Sequence, residues 1–283
     1  MTLEEVVEYF SILGGVENSI PKDYFDNFSS IDDINFIEEF DKFQSQISPS
    51  YLTQSPYSDI LIAIARGDGK INSVIRKSKL SKIVADEIIK ELLSLNVLKV
   101  QYSREAPLKK YPKQKLKKEF RSYRISHKII FIKPFFRFWF GFVIYYTNEL
   151  KVGDSKNFIS NFNQHNERLV SLVYEQLSNN FLIDYYADKS PIISSGNYWN
   201  IKSEFDILAL RRDKKLILAE CKYKNRKICK NELTKLKLKA KQSGIDADIY
   251  ILFSKSGFSK ELLHIKDSNL LLFDLSDFKS LLN

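Results

Sequence analysis

The chain has 283 residues, 44% hydrophobic and 28% charged, which excludes a disordered chain and allows one large or two smaller cores. Two cysteines, Cys221 and Cys229, rule out a disulfide framework and lack metal-site spacing. No apolar run reaches membrane length and the acidic start MTLEEVVEYF is no secretory signal, so a cytoplasmic protein without membrane association is expected.

The net charge of +9 is uneven. Residues 1–100 hold 16 acidic against 10 basic residues, 101–150 hold 3 against 12, and 151–283 hold 16 against 22. A basic middle and C-terminal half suit a polyanionic partner such as nucleic acid. The richness in Lys, Ile and Asn equally suits an AT-rich genome.

Residues 1–54 read as short acidic helices. LEEVVEYFSIL sets Leu3, Val6, Val7, Phe10 and Leu13 on one helical face and stops at Gly14-Gly15; DDINFIEEFDKF repeats the pattern. Residues 55–127 have the order of a winged helix: helices in SPYSDILIAIARG, INSVIRKS and LSKIVADEIIKELLSLN, then strands at 97–103 and 121–127 around a lysine-rich loop. The third helix is predicted to bury Leu80, Ile83, Val84, Ile88, Leu92 and Leu95. Its exposed Lys79, Lys82 and Lys90 could meet phosphates, whereas base-reading Arg, Asn or Gln is missing from its first turns. Protein packing is the other use of such a module. Lys109, Lys110 and Lys113, in the loop KKYPKQKLKKEFR, either track a nucleic-acid backbone or are simply solvated.

IIFIKPFFRFWFGFVIYY, within the linker 128–154, is interrupted by Lys133, Pro134 and Arg137 and reads as a buried aromatic element. Residues 155–283 alternate helix and strand, so a sheet with helical cover is expected. FNQHNERLVSLVYEQLSNNF is a helix, FLIDYYAD alternates loosely like a strand, and Ser194-Ser195-Gly196 reads as a turn. EFDILAL and LILAECKYK follow as a hairpin, then helices and strands to the end. His127, His165 and His264 lack ligand spacing.

In LILAECKYK, alternation puts Glu220 and Lys222 on the face of Leu216 and Leu218. A turn at Asp213-Lys214 sets Asp206 opposite Cys221, unless the register slips by one. Two carboxylates and an ammonium then converge at one sheet end. Such a set suits metal-assisted phosphodiester hydrolysis: the carboxylates offer hard oxygens to Mg2+ (or Mn2+), and the lysine orients a water or offsets charge. A strand-borne salt bridge between Glu220 and Lys222 is the simpler alternative.

Asp206 followed by Glu220-Cys221-Lys222 resembles the D…(D/E)xK signature of the PD-(D/E)xK nuclease superfamily. Ile132–Phe140, Ser203–Leu210, Leu218–Tyr223 and Leu252–Phe258 resemble, more narrowly, the C-terminal part of an archaeal and bacterial AAA-type ATPase family. YFSILGGV at 9–16 is similar to that family's ATPase-lid segment, and 55–125 to its winged helix. The P-loop pattern GxxxxGK[ST] is absent, and GDGKIN lacks its spacing, so no ATP site is expected and the ATPase activity is not carried over.

The resemblance implies an α/β fold: a restriction-endonuclease-like mixed sheet with flanking helices at 155–283, preceded by a winged helix and short N-terminal helices. It also implies Glu167, on the first core helix, as a third acidic metal ligand, and Glu204 as a supporting acid. The expected function is Mg-dependent hydrolysis of DNA. The alternative is an inactive DNA-binding or adaptor protein that keeps the nuclease fold, or a subunit working beside a separate ATPase or protein partner.

Overall fold

The computed structural model describes residues 2–16, 39–105, 111, 113–115, 118, 126–200 and 202–282. The chain groups into two compact units, Met1–Gln101 with His127–Val173, and Tyr102–Ser126 with Tyr174–Asn283. The aromatic linker and the start of the expected C-terminal domain therefore group with the N-terminal helices.

In the first unit, helix α1 (Leu3–Leu13) starts on a capping box in which the Thr2 hydroxyl and the Glu5 carboxylate each accept a backbone N–H of the other. It stops at Gly14-Gly15, where Gly15 has φ +86°. Val7, Ile12 and Leu13 are buried. Phe10, expected on the core face, is 43% exposed. Helix α2 (Phe40–Ser45) is the described end of DDINFIEEFDKF.

Helices α3 (Tyr57–Ala65), α4 (Ile71–Ser78) and α5 (Lys82–Ser94) precede an antiparallel pair, β1 (Leu98–Gln101) and β2 (Lys128–Phe131). Of the expected 121–127, residues 121–125 lie outside the described residues. The strand that pairs with β1 among the described residues is KIIF, whose apolar side chains fill the core: Ile129 and Phe131 are buried. A third short stretch joins them where Lys70 bridges Lys128 and Ile129 N–H donates to Gly69 O at 2.7 Å. Gly69 suits this contact: its φ is +74°, and a Cβ there would lie 2.7 Å from the Ile129 oxygen.

Helix α5 buries Ala85, Ile88, Ile89 and Leu92. Ile83, Val84 and Leu95, expected on that side, are 74%, 39% and 37% exposed. The stripe 85, 88, 89 and 92 has the same helical spacing as the expected one, and only packing chooses between them.

Helix α6 (Pro134–Gly141) opens with proline at its first turn and buries Phe135, Phe136, Phe138, Trp139 and Phe140. It is apolar nearly all round, as a core helix is. Phe40 packs on Trp139 with ring centroids 5.6 Å apart, and Phe138 meets Phe162 edge-on at 5.6 Å. Among the described residues no helix is long and apolar enough to cross a membrane. Helices α7 (Thr147–Lys151) and α8 (Lys156–His165) follow. Trp139 has no exposed surface, so Trp139→Ala is expected to cost about 3–5 kcal/mol by denaturant unfolding. A loss below ~1 kcal/mol would contradict this packing.

Helix α9 (Glu167–Tyr186) runs through FLIDYYAD, which is therefore helical rather than strand-like. The boundary between the units falls within it, after Val173. In the second unit a five-stranded mixed sheet has the order β3 (Ile192–Trp199), β4 (Glu204–Arg211), β5 (Leu216–Lys222), β6 (Ile249–Ser254) and β7 (Leu270–Asp274). β3, β4 and β5 are antiparallel neighbours; β6 and β7 continue the sheet in parallel with β5. Ser194-Ser195-Gly196, expected as a turn, lies inside β3, where two register shifts absorb its small residues. Ser103 and Arg104 bond to the outer side of β3, through Trp199 and Asn197, and so cover a sheet edge.

Helix α10 (Lys230–Gln242) buries Leu233, Leu236 and Ala240 in one cluster with Leu218 and Leu252. Phe253, the next residue of β6, instead meets Phe181 of α9 with centroids 6.0 Å apart. Neighbouring strand residues point to opposite faces, so α9 and α10 cover the two faces of the sheet. A short helix α11 (Lys260–Leu263) precedes β7, and the final helix is a 3-10 helix, Leu275–Leu282.

The β4–β5 turn closes with Arg211 N–H donating to Lys215 O, leaving three residues in the loop with Lys214 at φ +67°. This loop, rather than a two-residue one, sets Leu208 opposite Leu218. The left-handed conformation is unfavourable for lysine, so Lys214→Gly is expected to stabilise the protein by about 0.5–1 kcal/mol. Unfolding curves of the two proteins would show it; a destabilised variant would refute it.

Candidate active site

Asp206, Glu220 and Lys222 come together at one end of the β4–β5 pair. Extending the register beyond Ile207–Ala219 pairs Asp206 with Glu220, one residue from the expected Cys221. Between Phe205 and Leu208, β4 has one residue more than β3 has between Tyr198 and Gly196. This bulge puts both Phe205 and Leu208 toward the α10 cluster and turns Asp206 off strict alternation. Its Oδ2 accepts the Cys221 N–H at 2.7 Å, occupying a backbone donor of β5 just past the end of the β4–β5 ladder.

Glu220 and Lys222 stand on the α10 face as alternation predicts. Lys222 Nζ donates to Glu220 Oε1 at 2.6 Å, with the two side chains 26% and 15% exposed, so this is no fully solvated pair. Lys239 of α10 adds a second ammonium, 3.5 Å from Glu220 Oε2 and 4.7 Å from the centre of the Phe205 ring. That approach meets the distance of an ion pair but not the alignment of a hydrogen bond: Oε2 is buried with no hydrogen-bond partner.

The electrostatics follow from this crowding. Burial, then the Glu220 charge, pushes the Asp206 carboxyl up to about 7, against the opposing pull of the Cys221 N–H, Lys222 and Lys239. Burial acts to lower the Lys222 ammonium, but the Glu220 charge and hydrogen bond, with the Asp206 charge, hold it above the ordinary lysine value. Cys221 points to the α9 face, where burial first, and then the Asp206 and Glu175 charges, raise its thiol well above the usual range. It is a packed thiol rather than a nucleophile.

Glu167 is exposed and is the first residue of α9. Among the described residues no group of three His, Cys, Asp or Glu is placed to hold a metal. Further along α9, in the second unit, the Glu175 charge reaches Cys221 of β5. Glu175 Oε2 lies 3.5 Å from Asn197 Nδ2. Glu204 is exposed at the start of β4. Lys239 and Glu175 escape a reading of the sequence because both sit on helices whose rotation against the sheet no strand pattern reveals. The one signal for Lys239 is the spacing of Leu233, Leu236 and Ala240, which puts it at the border of the α10 core face.

Of the expected nucleic-acid contacts, Lys79 is exposed and ends α4 at φ +60°, Lys82 is ion-paired with Asp86, and Lys90 is exposed on α5. Lys113 is exposed; Lys109 and Lys110 lie outside the described residues.

Residues 139–236 match DUF234, archaea bacterial proteins of unknown function. The matched stretch contains Asp206, Glu220 and Lys222, and extends back to Trp139 in α6. No curated protein matches the chain. A crystal structure of protein VC1899 from Vibrio cholerae aligns over 90% of this chain and 55% of its own, with 15% identity and a TM-score of 0.30. The chain thus spans just over half the length of that protein.

Proposed function

We propose that the protein is a divalent-metal-dependent nuclease that hydrolyses DNA phosphodiester bonds, with Asp206 and Glu220 as metal ligands and Lys222 as the catalytic lysine. The observation that carries this is Glu220 Oε2: a buried carboxylate oxygen without a hydrogen bond, ion-paired only with Lys239 at 3.5 Å, on a residue whose charge opposes the ionisation of a second carboxylate, Asp206. Buried acceptors are normally satisfied, and two crowded carboxylates are the donor set for a hard cation. Asp206 Oδ and Glu220 Oε2 would hold Mg2+ or Mn2+. Bound there, the cation supplies Lewis-acid stabilisation of the scissile phosphate and a more acidic water.

The remaining work falls to the chain's own groups. Cys221 N–H holds Asp206 Oδ2 in place, and Lys222 holds Glu220 Oε1, so both carboxylates are oriented before any ligand arrives. Lys222, kept protonated, offsets negative charge developing on the phosphate.

The mixed sheet with α9 and α10 on its faces supports a restriction-endonuclease-like fold. The succession α3, Lys70 bridge, α4, α5, β1, β2 likewise supports a winged helix in the first unit. DNA as the substrate is supported by the loops that follow β5 and β6, which carry Lys224, Arg226, Lys227 and Lys255, with Lys230 at the start of α10, at the sheet end where Glu220 and Lys222 lie.

The alternative, a DNA-binding or adaptor protein without catalysis, is favoured by the ion pairs that Glu220 already makes with Lys222 and Lys239. A cleavage assay with Mg2+ or Mn2+ separates the two: wild type cuts, and Glu220→Ala and Lys222→Ala do not. Equal activity in all three removes the site assignment, and salt-sensitive DNA binding without cleavage establishes the adaptor.

A further inference from the structure

The proposed chemistry gives Lys239 no task, yet its ammonium stands at the oxygen a cation would take. Lys239 Nζ lies 3.5 Å from Glu220 Oε2, within ion-pair distance but without hydrogen-bond alignment. Lys222, by contrast, donates to Oε1 at 2.6 Å. Access differs in the same sense, the Lys239 side chain being 35% exposed and that of Lys222 26%. Lys222 is thus the anchored partner of Glu220, and Lys239 is the exchangeable one.

The surroundings allow that exchange. Lys239 sits at the border of the α10 face that buries Leu233, Leu236 and Ala240, so its side chain can turn outward without opening the core. Its ammonium also lies 4.7 Å from the centre of the Phe205 ring, which is fully buried and so fixed in place. An ammonium over a ring face keeps some stabilisation there after losing a carboxylate. Glu232, about two turns earlier on the same side of the helix, is engaged by Lys235 at 2.9 Å.

Charge makes the exchange necessary. Asp206, Glu220, Lys222 and Lys239 set two carboxylates against two ammoniums in one partly buried cluster. A divalent cation at Glu220 Oε2 would meet the Lys239 ammonium at close range, and like charges repel strongly where water is scarce. The flexible lysine, rather than the strand-borne carboxylate, is the group that can withdraw.

We infer that Lys239 is the place-holder of the metal site: it pairs with Glu220 Oε2 in the metal-free protein and must release that oxygen before a divalent cation binds. The inference rests on the metal-site assignment above. Lys239, and not the carboxylates alone, then sets the cation concentration at which the site fills. Until the cation arrives, the same ammonium compensates a carboxylate oxygen that has no hydrogen bond.

Mn2+ binding to the full chain without DNA tests this with no turnover, by calorimetry and by the paramagnetic resonance of free Mn2+. Lys239→Met keeps the apolar stem and removes the charge, and Lys239→Gln is a second neutral variant should the first fail to fold. Each should bind Mn2+ at least about ten-fold tighter than wild type, whereas Lys239→Arg, which keeps the charge, should stay within about three-fold of it. Lys241→Met removes an exposed cation from the same helix and should likewise stay near wild type. A damaged fold would weaken binding, so a gain of affinity identifies the lost charge. In the cleavage assay the Mg2+ concentration for half-maximal rate should fall in parallel. Mn2+ binding that Glu220→Gln abolishes, but that both neutral variants leave unchanged or weaken, overturns the inference while the metal site stands. Absence of Mn2+ binding from wild type and from both neutral variants removes the metal site, and the inference with it.

Discussion

Glu220→Gln should lose metal-dependent DNA cleavage by at least about 10³-fold while leaving the protein folded, the scale expected when one preorganised electrostatic group is removed. The substitution keeps the shape of the side chain and an acceptor for Lys222, yet removes the charge from the oxygen that has no hydrogen bond. Packing around β5 is unaffected because Ile217, Leu218 and Ala219, not Glu220, supply its fully buried surface. Lys222→Ala should lose activity on a similar scale, but it also leaves a largely buried carboxylate with less compensation, so its melting curve must be measured beside it. Arg168→Ala would make a poor control, since it uncaps α3. Cleavage by Glu220→Gln within ten-fold of wild type, on folded protein, would remove Glu220 from the chemistry.

The second large effect concerns pH. The Asp206 carboxyl rises from 3.8 to about 7 on folding, so the native state binds a proton more tightly than the unfolded chain. The metal-free protein should therefore gain its full contribution from this group below about pH 4 and lose it progressively as the pH rises through about 7. Above that pH the buried charge faces Glu220, and the Cys221 N–H, Lys222 and Lys239 offset only part of that cost. Asp206→Asn can still accept the Cys221 N–H and carries no charge. In EDTA it should melt higher than wild type at about pH 8, by several degrees for a gain of 1–2 kcal/mol, with the difference shrinking toward about pH 5.

Mg2+ should reverse the order at the higher pH, raising the wild-type melting temperature and leaving Asp206→Asn unmoved, because a cation stabilises only the state it binds. A wild-type stability that is flat across this range, with no response to Mg2+ or Mn2+, would dismiss both the crowded-carboxylate picture and the metal site.

Much of the candidate site was legible in the residues. Alternation along LILAECKYK is a local property of a strand, and it put Glu220 and Lys222 on one face without reference to anything else. The α/β character of the C-terminal part and the stop of α1 at Gly14-Gly15 were legible for the same reason: each depends on neighbouring residues. The turn of the hairpin was less so. Its three-residue loop with Lys214 in the left-handed region moved the register by one, and nothing in RRDKK distinguishes that loop from a tighter one. FLIDYYAD misled because a short apolar run with alternation fits the end of a buried helix as well as a strand.

Sequence by itself determined that the chain builds a helical N-terminal part and an α/β part, and that a D…ExK set lies on adjacent strands. These follow from periodicity and side-chain chemistry acting over a few residues. Only the tertiary structure decided that β4 bulges at Asp206, that Lys239 and Glu175 bring charge to the strand pair, and that α5 turns Ile83 and Val84 outward. Each of these depends on how helices rotate and dock when they bury apolar surface, and no local pattern encodes that choice.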